Sequence, residues 1–482
     1  MRNYRLPVQE THGLDVRNWV EPEPVPGYTH APEEAREAFQ DIKYAVRVHW
    51  GLYSLLHQRG ESWPFLQMSN RKKQAYQQLY RSFNPAGFSA DRWMEFFRRV
   101  GVKCFAITTK HHEGFSLWDT RTRVRQRVNY TTPGGPSIEP CDLAYSVMET
   151  PLGRDILKEL CDAARRFEIK IDFYFSHPDW YDADFRPYAF HPLQTPRVSQ
   201  SPDEYGRDTY IQALAGKHLV RGFPDRSPEE TRRMLARHRE QLTELLSNYG
   251  PIDLLCLDMW LGADVWPELR ETILHLRRLQ PNIMLRARGI GNYGDYYTPE
   301  GFVPGSPANT DMPWMVIYPL ARSFSYDPNA AFYKGWRWIV RNIIDCAAKG
   351  GSFMVGIGAD ENGWFHPKAV SDMEQAGEWL RVNGEAIYAT RARDPWCEGE
   401  KIRFTRSKNG RVIYAIVRGW PGRRLRLTSI EPGAVRRVSL LGLDVPLAWE
   451  PEGRGIVIRF PAALRRAENR PCRYAYSFKI ES

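Results

Sequence analysis

Short apolar runs alternate with amphipathic helical patterns along most of this chain, and that alternation limits the fold more than any other feature. The runs are "AVRVHWGLYS" from Ala45, "CFAITTKHHEGF" from Cys104, "KIDFYFS" from Lys170, "DLLCLDMW" from Asp253, "IMLRARG" from Ile283 and "GSFMVGIG" from Gly351. Each is short enough for a strand and apolar enough to be buried on both faces. Between them, Ile156, Leu157, Leu160, Ala164 and Phe167 make one stripe at helical spacing, and Met234, Leu235, His238, Leu242, Leu245 and Leu246 make another. Strand then helix, repeated over roughly 350 residues, predicts a parallel sheet, and the length favours a closed (β/α)8-like barrel.

Past Tyr388 the helical patterns stop. "KIRFTR", "RVIYAIVRG", "RLRLTSI", "AVRRVSLLG", "GIVIRF" and "YAYSFKI" follow one another with turn signals such as "SKNG" between them. Apolar residues alternate with polar ones, as at Leu425/Leu427 and Ile456/Ile458/Phe460, which predicts an antiparallel β-sandwich. The expected division is therefore a barrel domain over 1–390, with an irregular Pro-rich N-terminal extension to about residue 40, and a C-terminal sandwich over 391–482.

Composition narrows the classes. The 67 basic residues exceed the 57 acidic ones, but arginines in stretches such as "RRMLARHRE" read as a solvated basic surface rather than as a nucleic-acid site. The seven cysteines form no CxxC pair, and four lie in apolar patterns, so they read as buried hydrophobes. The N-terminus has no apolar signal-like stretch and no run reaches membrane-spanning length, which leads to the expectation of a cytoplasmic protein, or a secreted or periplasmic one if a signal was removed, with no membrane partner. A homo-oligomer is compatible with the sequence. Sixteen Trp and 24 Tyr suit a carbohydrate binder, since sugar rings stack their C–H faces on aromatic rings, although a large core also uses such residues.

In a (β/α) barrel the reacting groups stand at the C-terminal ends of the strands. There the sequence places His49 and Trp50; Lys110, His111, His112 and Glu113; Ser176, His177 and Asp179; Asp258; and Arg286 and Arg288, followed by Asp295 and Glu300. Two chemistries fit such a set. One is a metal hydrolase with His49, His111, His112 and His177 as ligands. It is disfavoured because neighbours on a strand face opposite ways and no HxH or HExxH occurs. The other, which needs no metal or cofactor, is glycoside hydrolysis by two carboxylates: one attacks the anomeric carbon and the other protonates the leaving oxygen. Asp258 and a Glu from the next loop suit it, with histidines and Arg288 binding hydroxyls.

The blocks "VHWGLYSLLHQRGESW", "GVKCFAITTKHHEGFSLWDT", "TPLGRDILKELCDAARRFEIK", "NYGPIDLLCLDMW" and "KGGSFMVGIGADENGWFHPKAVSDMEQAGEWLRVNGEAIYAT" resemble the α-L-fucosidases of glycoside hydrolase family 29, in the family's order. The resemblance implies a barrel followed by a β-sandwich. It also implies an exo-acting, retaining double displacement without metal on a fucosylated oligosaccharide or glycoconjugate. It makes Asp258 the nucleophile. His49, His111 and His112 become sugar-binding residues, Glu61 and Trp63 a pair closing the pocket, and Arg288 the arginine before the acid/base loop. Glu300 of "YYTPEG" is the expected acid/base, with Asp295 and Glu61 as rivals.

The chain also departs from that pattern. Cys256 stands where the family carries an aromatic, which suggests room beside the nucleophile for a relative such as an α-L-galactoside, and Met259 stands where the family usually carries Gly. Long segments follow the second and third strands. Another α-L-glycoside, or a non-catalytic carbohydrate-binding relative, is the alternative. Trp50, Trp63 and Trp118 are the expected aromatic walls, and Trp420 and Trp449 the residues to watch if the sandwich binds sugar.

Overall fold

The computed structural model describes residues 4, 21–57, 59–188, 190–195, 220, 222–304, 311–443 and 445–482. The long segment after the third strand lies partly outside them. Strands β1 (Tyr44–His49) and β2 (Cys104–Lys110) are followed by a hairpin, β3 (Val124–Asn129) with β4 (Ser137–Leu143). Then come β5 (Lys170–Ser176), β6 (Leu254–Asp258), β7 (Met284–Leu285), β8 (Met315–Pro319) and β9 (Ser352–Gly358). The hairpin aside, these strands form one parallel sheet in the order β7-β6-β5-β2-β1-β9-β8.

The edges of that sheet meet through residues 295–301. Tyr296 bridges Arg286, while Tyr297 and Glu300 bridge Trp314 and Ile317, all in parallel sense. This segment is an irregular eighth stave, and with it the wall curls into a barrel. Neither it nor β8 is among the apolar runs read from the sequence. Prolines break or bound both stretches, Pro299 in the stave and Pro313 and Pro319 around β8. Glu300, expected in a βα loop, therefore belongs to the barrel wall.

The barrel interior is layered, because alternate residues of each strand face inward. Ala45, Ala106, Leu254, Met284, Tyr296 and Met354 pack at the floor with Phe39 and Ile42. Phe39 comes from a helix at Glu33–Asp41, so the N-terminal extension is not irregular throughout. The next layer is polar and buried: Arg47, Asp172, Tyr174 and Arg286, with Arg47 and Asp172 3.5 Å apart. His49, Asp258 and Arg288 stand above it.

Outside the wall, the helices at Ile156–Arg166 and Pro228–Ser247 bury the expected stripes, apart from half-exposed Leu235 and Phe167. The second helix starts with a reciprocal cap, in which Ser227 accepts from the Glu230 amide and the Glu230 carboxylate accepts from that of Ser227.

The C-terminal strands are β10 (Thr390–Glu398), β11 (Ile402–Ser407), β12 (Val412–Arg418), β13 (Arg424–Leu427), β14 (Arg437–Leu440), β15 (Ala448–Glu452), β16 (Gly455–Arg459) and β17 (Ala475–Glu481). They form sheets β10-β11-β12-β17-β14 and β13-β16-β15, which enclose Phe404, Leu427, Ile456, Ile458 and Phe478. Trp379 donates its indole N–H to the Ala475 carbonyl at 2.8 Å, and Arg403 pairs with Asp345 at 2.7 Å, so barrel and sandwich are tied together. All seven cysteines are free, and Cys104, Cys161, Cys256 and Cys346 are buried. Among the described residues no helix is long and apolar enough to cross a membrane.

Candidate active site

Asp258 ends β6 at the mouth of the barrel and is the hub of the polar residues there. Arg288 donates to its Oδ1 at 2.7 Å, Arg286 to the same oxygen at 3.3 Å, and the Tyr174 hydroxyl to Oδ2 at 2.6 Å. Burial opposes ionisation of this carboxyl. Arg288 and Arg286, with His112 and Tyr174, outweigh it and hold the group well below the usual carboxylate range. A buried carboxylate kept charged by donors on two sides is poised as a nucleophile rather than as an acid.

Arg288 also joins the second carboxylate. Its other terminal nitrogen lies 3.4 Å from Glu300 Oε2. The Glu300 side chain keeps 31% of its exposure, against 9% for that of Asp258, so it stands nearer the opening.

His111 and His112 lie just beyond β2, in a turn closed by the Gly114 amide bonding the His111 carbonyl. A Cβ on Gly114, at φ +87°, would sit 2.2 Å from the Asp179 carboxylate, so the turn requires glycine. Strand alternation therefore does not apply to this pair, and their side chains stand together instead of on opposite faces. The two rings are 4.2 Å apart, and His112 Nε2 lies 3.8 Å from Asp258 Oδ2. His111 Nδ1 bonds the Ser62 hydroxyl, and His49 lies 6.1 Å from His111. Burial holds His49 and His111 well below the ordinary imidazole value and lowers His112 to about 4. Neutral rings each offer one donor and one acceptor, which is what vicinal hydroxyls need.

Glu61 is anchored by the Phe324 and Ser325 amides, each 2.8 Å from Oε1. Burial, which those two bonds counter only in part, raises it to about 7, and the charge of Glu300 adds to the effect. Trp63 meets His112 edge-on at 4.9 Å. It also packs with Met259, Trp260 and Phe190 in an apolar patch beside Asp258. Glu61, Phe190 and Met259 all have left-handed φ angles, of 51°, 64° and 61°. Such conformations cost on the order of 1 kcal/mol each outside glycine, and they cluster where a site over-determines the backbone.

Several expected residues lie elsewhere. Asp295 accepts from Arg277 at 2.5 Å and from the Leu285 and Ala31 amides, a structural role that removes it as a rival acid. His177 faces outward to His238 at 2.9 Å, and Asp179 pairs with Arg237 and Lys110. Trp50 donates to the Asp360 carbonyl and Trp118 to Glu244 within the outer core, so neither walls the pocket. Cys256 does not open space, because the Arg286 guanidinium occupies its vicinity with Nη1 3.1 Å from Sγ. Tyr174, Trp260 and Phe190 reach the site without having been expected there, and Arg286, expected at its strand end, contacts Asp258. The inward series Asp172, Tyr174, Ser176 in a buried strand was the available signal for Tyr174. Among the described residues no group of three or more His, Cys, Asp or Glu is arranged to hold a metal ion.

The family described as Alpha-L-fucosidase matches residues 27–385. The chain belongs to that family. The Alpha-L-fucosidase C-terminal domain matches residues 398–481. Tissue alpha-L-fucosidase of Bos taurus is 25% identical over 477 residues, spanning 92% of this chain and 87% of the relative. Plasma alpha-L-fucosidase of Homo sapiens is 23% identical over 478 residues, with 92% and 89% covered. The fold is shared with alpha-L-fucosidase isoenzyme 1 from Paenibacillus thiaminolyticus at a TM-score of 0.72, with 24% identity and coverage of 93% of this chain and 99% of the other. It is also shared with a GH29 alpha-L-fucosidase of Bacteroides thetaiotaomicron, described as a trapped covalent intermediate with 2-fluoro-fucosyl fluoride, at 0.70, with 21% identity and 95% and 99% covered.

Proposed function

We propose that this family member is an exo-acting, retaining α-L-fucosidase that removes terminal fucosyl residues from glycans, with Asp258 as nucleophile and Glu300 as acid/base. The observation that carries the reading is the guanidinium of Arg288, which bonds Asp258 through one terminal nitrogen and reaches Glu300 with the other. Asp258, ionised, attacks the anomeric carbon to form a glycosyl ester while Glu300 protonates the departing oxygen; Glu300 then takes a proton from the water that cleaves the ester. His49, His111 and His112 bind the ring hydroxyls as neutral imidazoles. Trp63, Met259, Trp260 and Phe190 accept the C5 methyl group, which needs no hydrogen bond.

Proton NMR of an aryl α-L-fucoside digest tests the mechanism. α-L-fucose as first product supports the double displacement; β-L-fucose would mean inversion and would remove Asp258 as nucleophile. A second reading assigns the acid to Glu61, whose carboxyl is raised to about 7. It is disfavoured because both backbone donors already fix one oxygen of Glu61, away from the opening where a leaving group departs.

A further inference from the structure

The positive charge of this chain is segregated. Residues 391–482 carry 20 Lys and Arg against nine Asp and Glu, while the preceding 390 residues carry 47 against 48. The sandwich thus holds a formal +11 and the rest −1. Part of this charge is tied down: Arg391 pairs with Asp41, Arg403 with Asp345, Lys479 with Glu385, Arg426 with Glu452 and Arg459 with Glu450. Arg423, Arg424, Arg465 and Arg466 are exposed and, among the described residues, have no ion pair.

These four gather at one end of the three-stranded sheet. Arg424 stands directly opposite Arg459 across the β13–β16 pair. The Phe460 amide bonds the Arg423 carbonyl at 3.2 Å, and the turn Ala462–Arg465 follows at once. Arg470 folds back to the Leu464 and Arg465 carbonyls at 3.0 and 2.8 Å and stacks its guanidinium on Trp420 at 4.6 Å. Trp420 in turn packs on Phe460 at 4.8 Å. Glu450 and Glu452 offset the charge of Arg459 and Arg426 on this sheet, which leaves Arg423, Arg424, Arg465 and Arg466 exposed to meet an external anion.

We propose that this arginine cluster binds sulfated glycan chains, a second site that holds an anionic polysaccharide on the protein while the barrel works on its fucosyl ends. Guanidinium forks match the oxygens of a sulfate group bidentately, and several on one face suit a polymer carrying many. Duplex DNA is the competing polyanion, and the titration below separates the two. The role at fucosyl ends rests on the fucosidase reading; the binding does not, and dextran sulfate, which has no fucose, separates the two.

The full chain is titrated with dextran sulfate, with neutral dextran of equal length and with a duplex DNA oligomer, at about 50 and about 200 mM salt. Expected are binding of dextran sulfate alone, weakened about tenfold or more by the added salt. Combined substitution Arg423→Glu, Arg424→Glu, Arg465→Glu and Arg466→Glu should lower that affinity by about tenfold or more, with Tm and turnover of an aryl fucoside unchanged. The corresponding Gln set gives the same comparison if the Glu set folds poorly. No binding of dextran sulfate at the lower salt, wild-type affinity in the variants, or DNA bound as tightly as dextran sulfate would each overturn the proposal.

Discussion

The hydroxyl of Tyr174, on β5, donates a 2.6 Å hydrogen bond to Oδ2 of Asp258, on the neighbouring strand β6. A bond to a charged group contributes about 1.5–3 kcal/mol, and this one favours the ionised carboxyl. Tyr174→Phe should therefore raise the pKa of Asp258 and move the acidic limb of the kcat/KM profile to higher pH. It should also lower kcat about 10- to 100-fold. An unmoved acidic limb would show that Tyr174 only packs.

Asp258→Gly removes the attacking oxygen and leaves the β face open. Turnover should vanish. Tm should fall as well, because buried Arg286 and Arg288 lose their shared carboxylate, so circular dichroism at the assay temperature must show the variant folded. Sodium azide should partly restore turnover and give β-L-fucosyl azide. Normal turnover without azide would end the nucleophile assignment.

The two glutamates are separated by leaving group. An acid catalyst matters most where the departing oxygen is basic. Glu300→Ala should lose far more activity on an alkyl fucoside than on a dinitrophenyl fucoside, and azide should speed the second. Glu61→Ala should instead raise KM for both, because its loss frees the Phe324–Ser325 segment. The reverse pattern would exchange the roles.

Acid should destabilise the protein through its buried histidines. His112 is lowered to about 4 and His177 to about 3, in each case chiefly by burial. Between the unfolded value near 6.5 and these folded values, the unfolded chain binds more protons than the native one, so native stability falls as pH drops through that window and is fully present above it. Thermal melts from pH 7 to pH 4 should show a steady loss of Tm, reduced in His177→Asn. A flat Tm over that range would mean that the rings are charged in the native state.

The alternation of strand and helix and the carboxylate at the end of "LLCLD" were legible because burial on both faces leaves an uninterrupted apolar run, against which one charged residue stands out. The closing stave at 295–301 was not, because a few prolyl-broken residues carry no period. Sequence spacing put Asp295 and Glu300 in one loop, whereas the stave puts Asp295 at the barrel floor with Arg277 and Glu300 at the mouth with Arg288. His111 and His112 misled in the other direction: the turn at Gly114, outside the strand, decides where their rings go. Cys256 looked like a cavity because a small residue was noted without the arginine from the next strand that covers it.

That last point reverses one expectation about specificity. An α-L-galactoside replaces the C5 methyl with a hydroxymethyl, and the sequence suggested that Cys256 leaves space for it. The space is taken by Arg286, and in the proposed binding mode the substituent faces Trp63, Met259, Trp260 and Phe190 instead. A hydroxyl buried against such a patch without a partner costs on the order of 1–3 kcal/mol, although an apolar pocket rarely rejects an added hydroxyl by more than about 100-fold. The aryl α-L-fucoside should thus exceed the α-L-galactoside roughly 10- to 100-fold in kcat/KM. Met259→Gly provides the control. Glycine accepts the φ of 61° without strain, so the nucleophile loop should hold its course while the lost thioether admits water to the hydroxyl. The preference should shrink several-fold, mainly through a lower KM for the galactoside. Equal kcat/KM for the two sugars in the wild type, or an unchanged ratio in Met259→Gly, would show that the C5 substituent sits elsewhere.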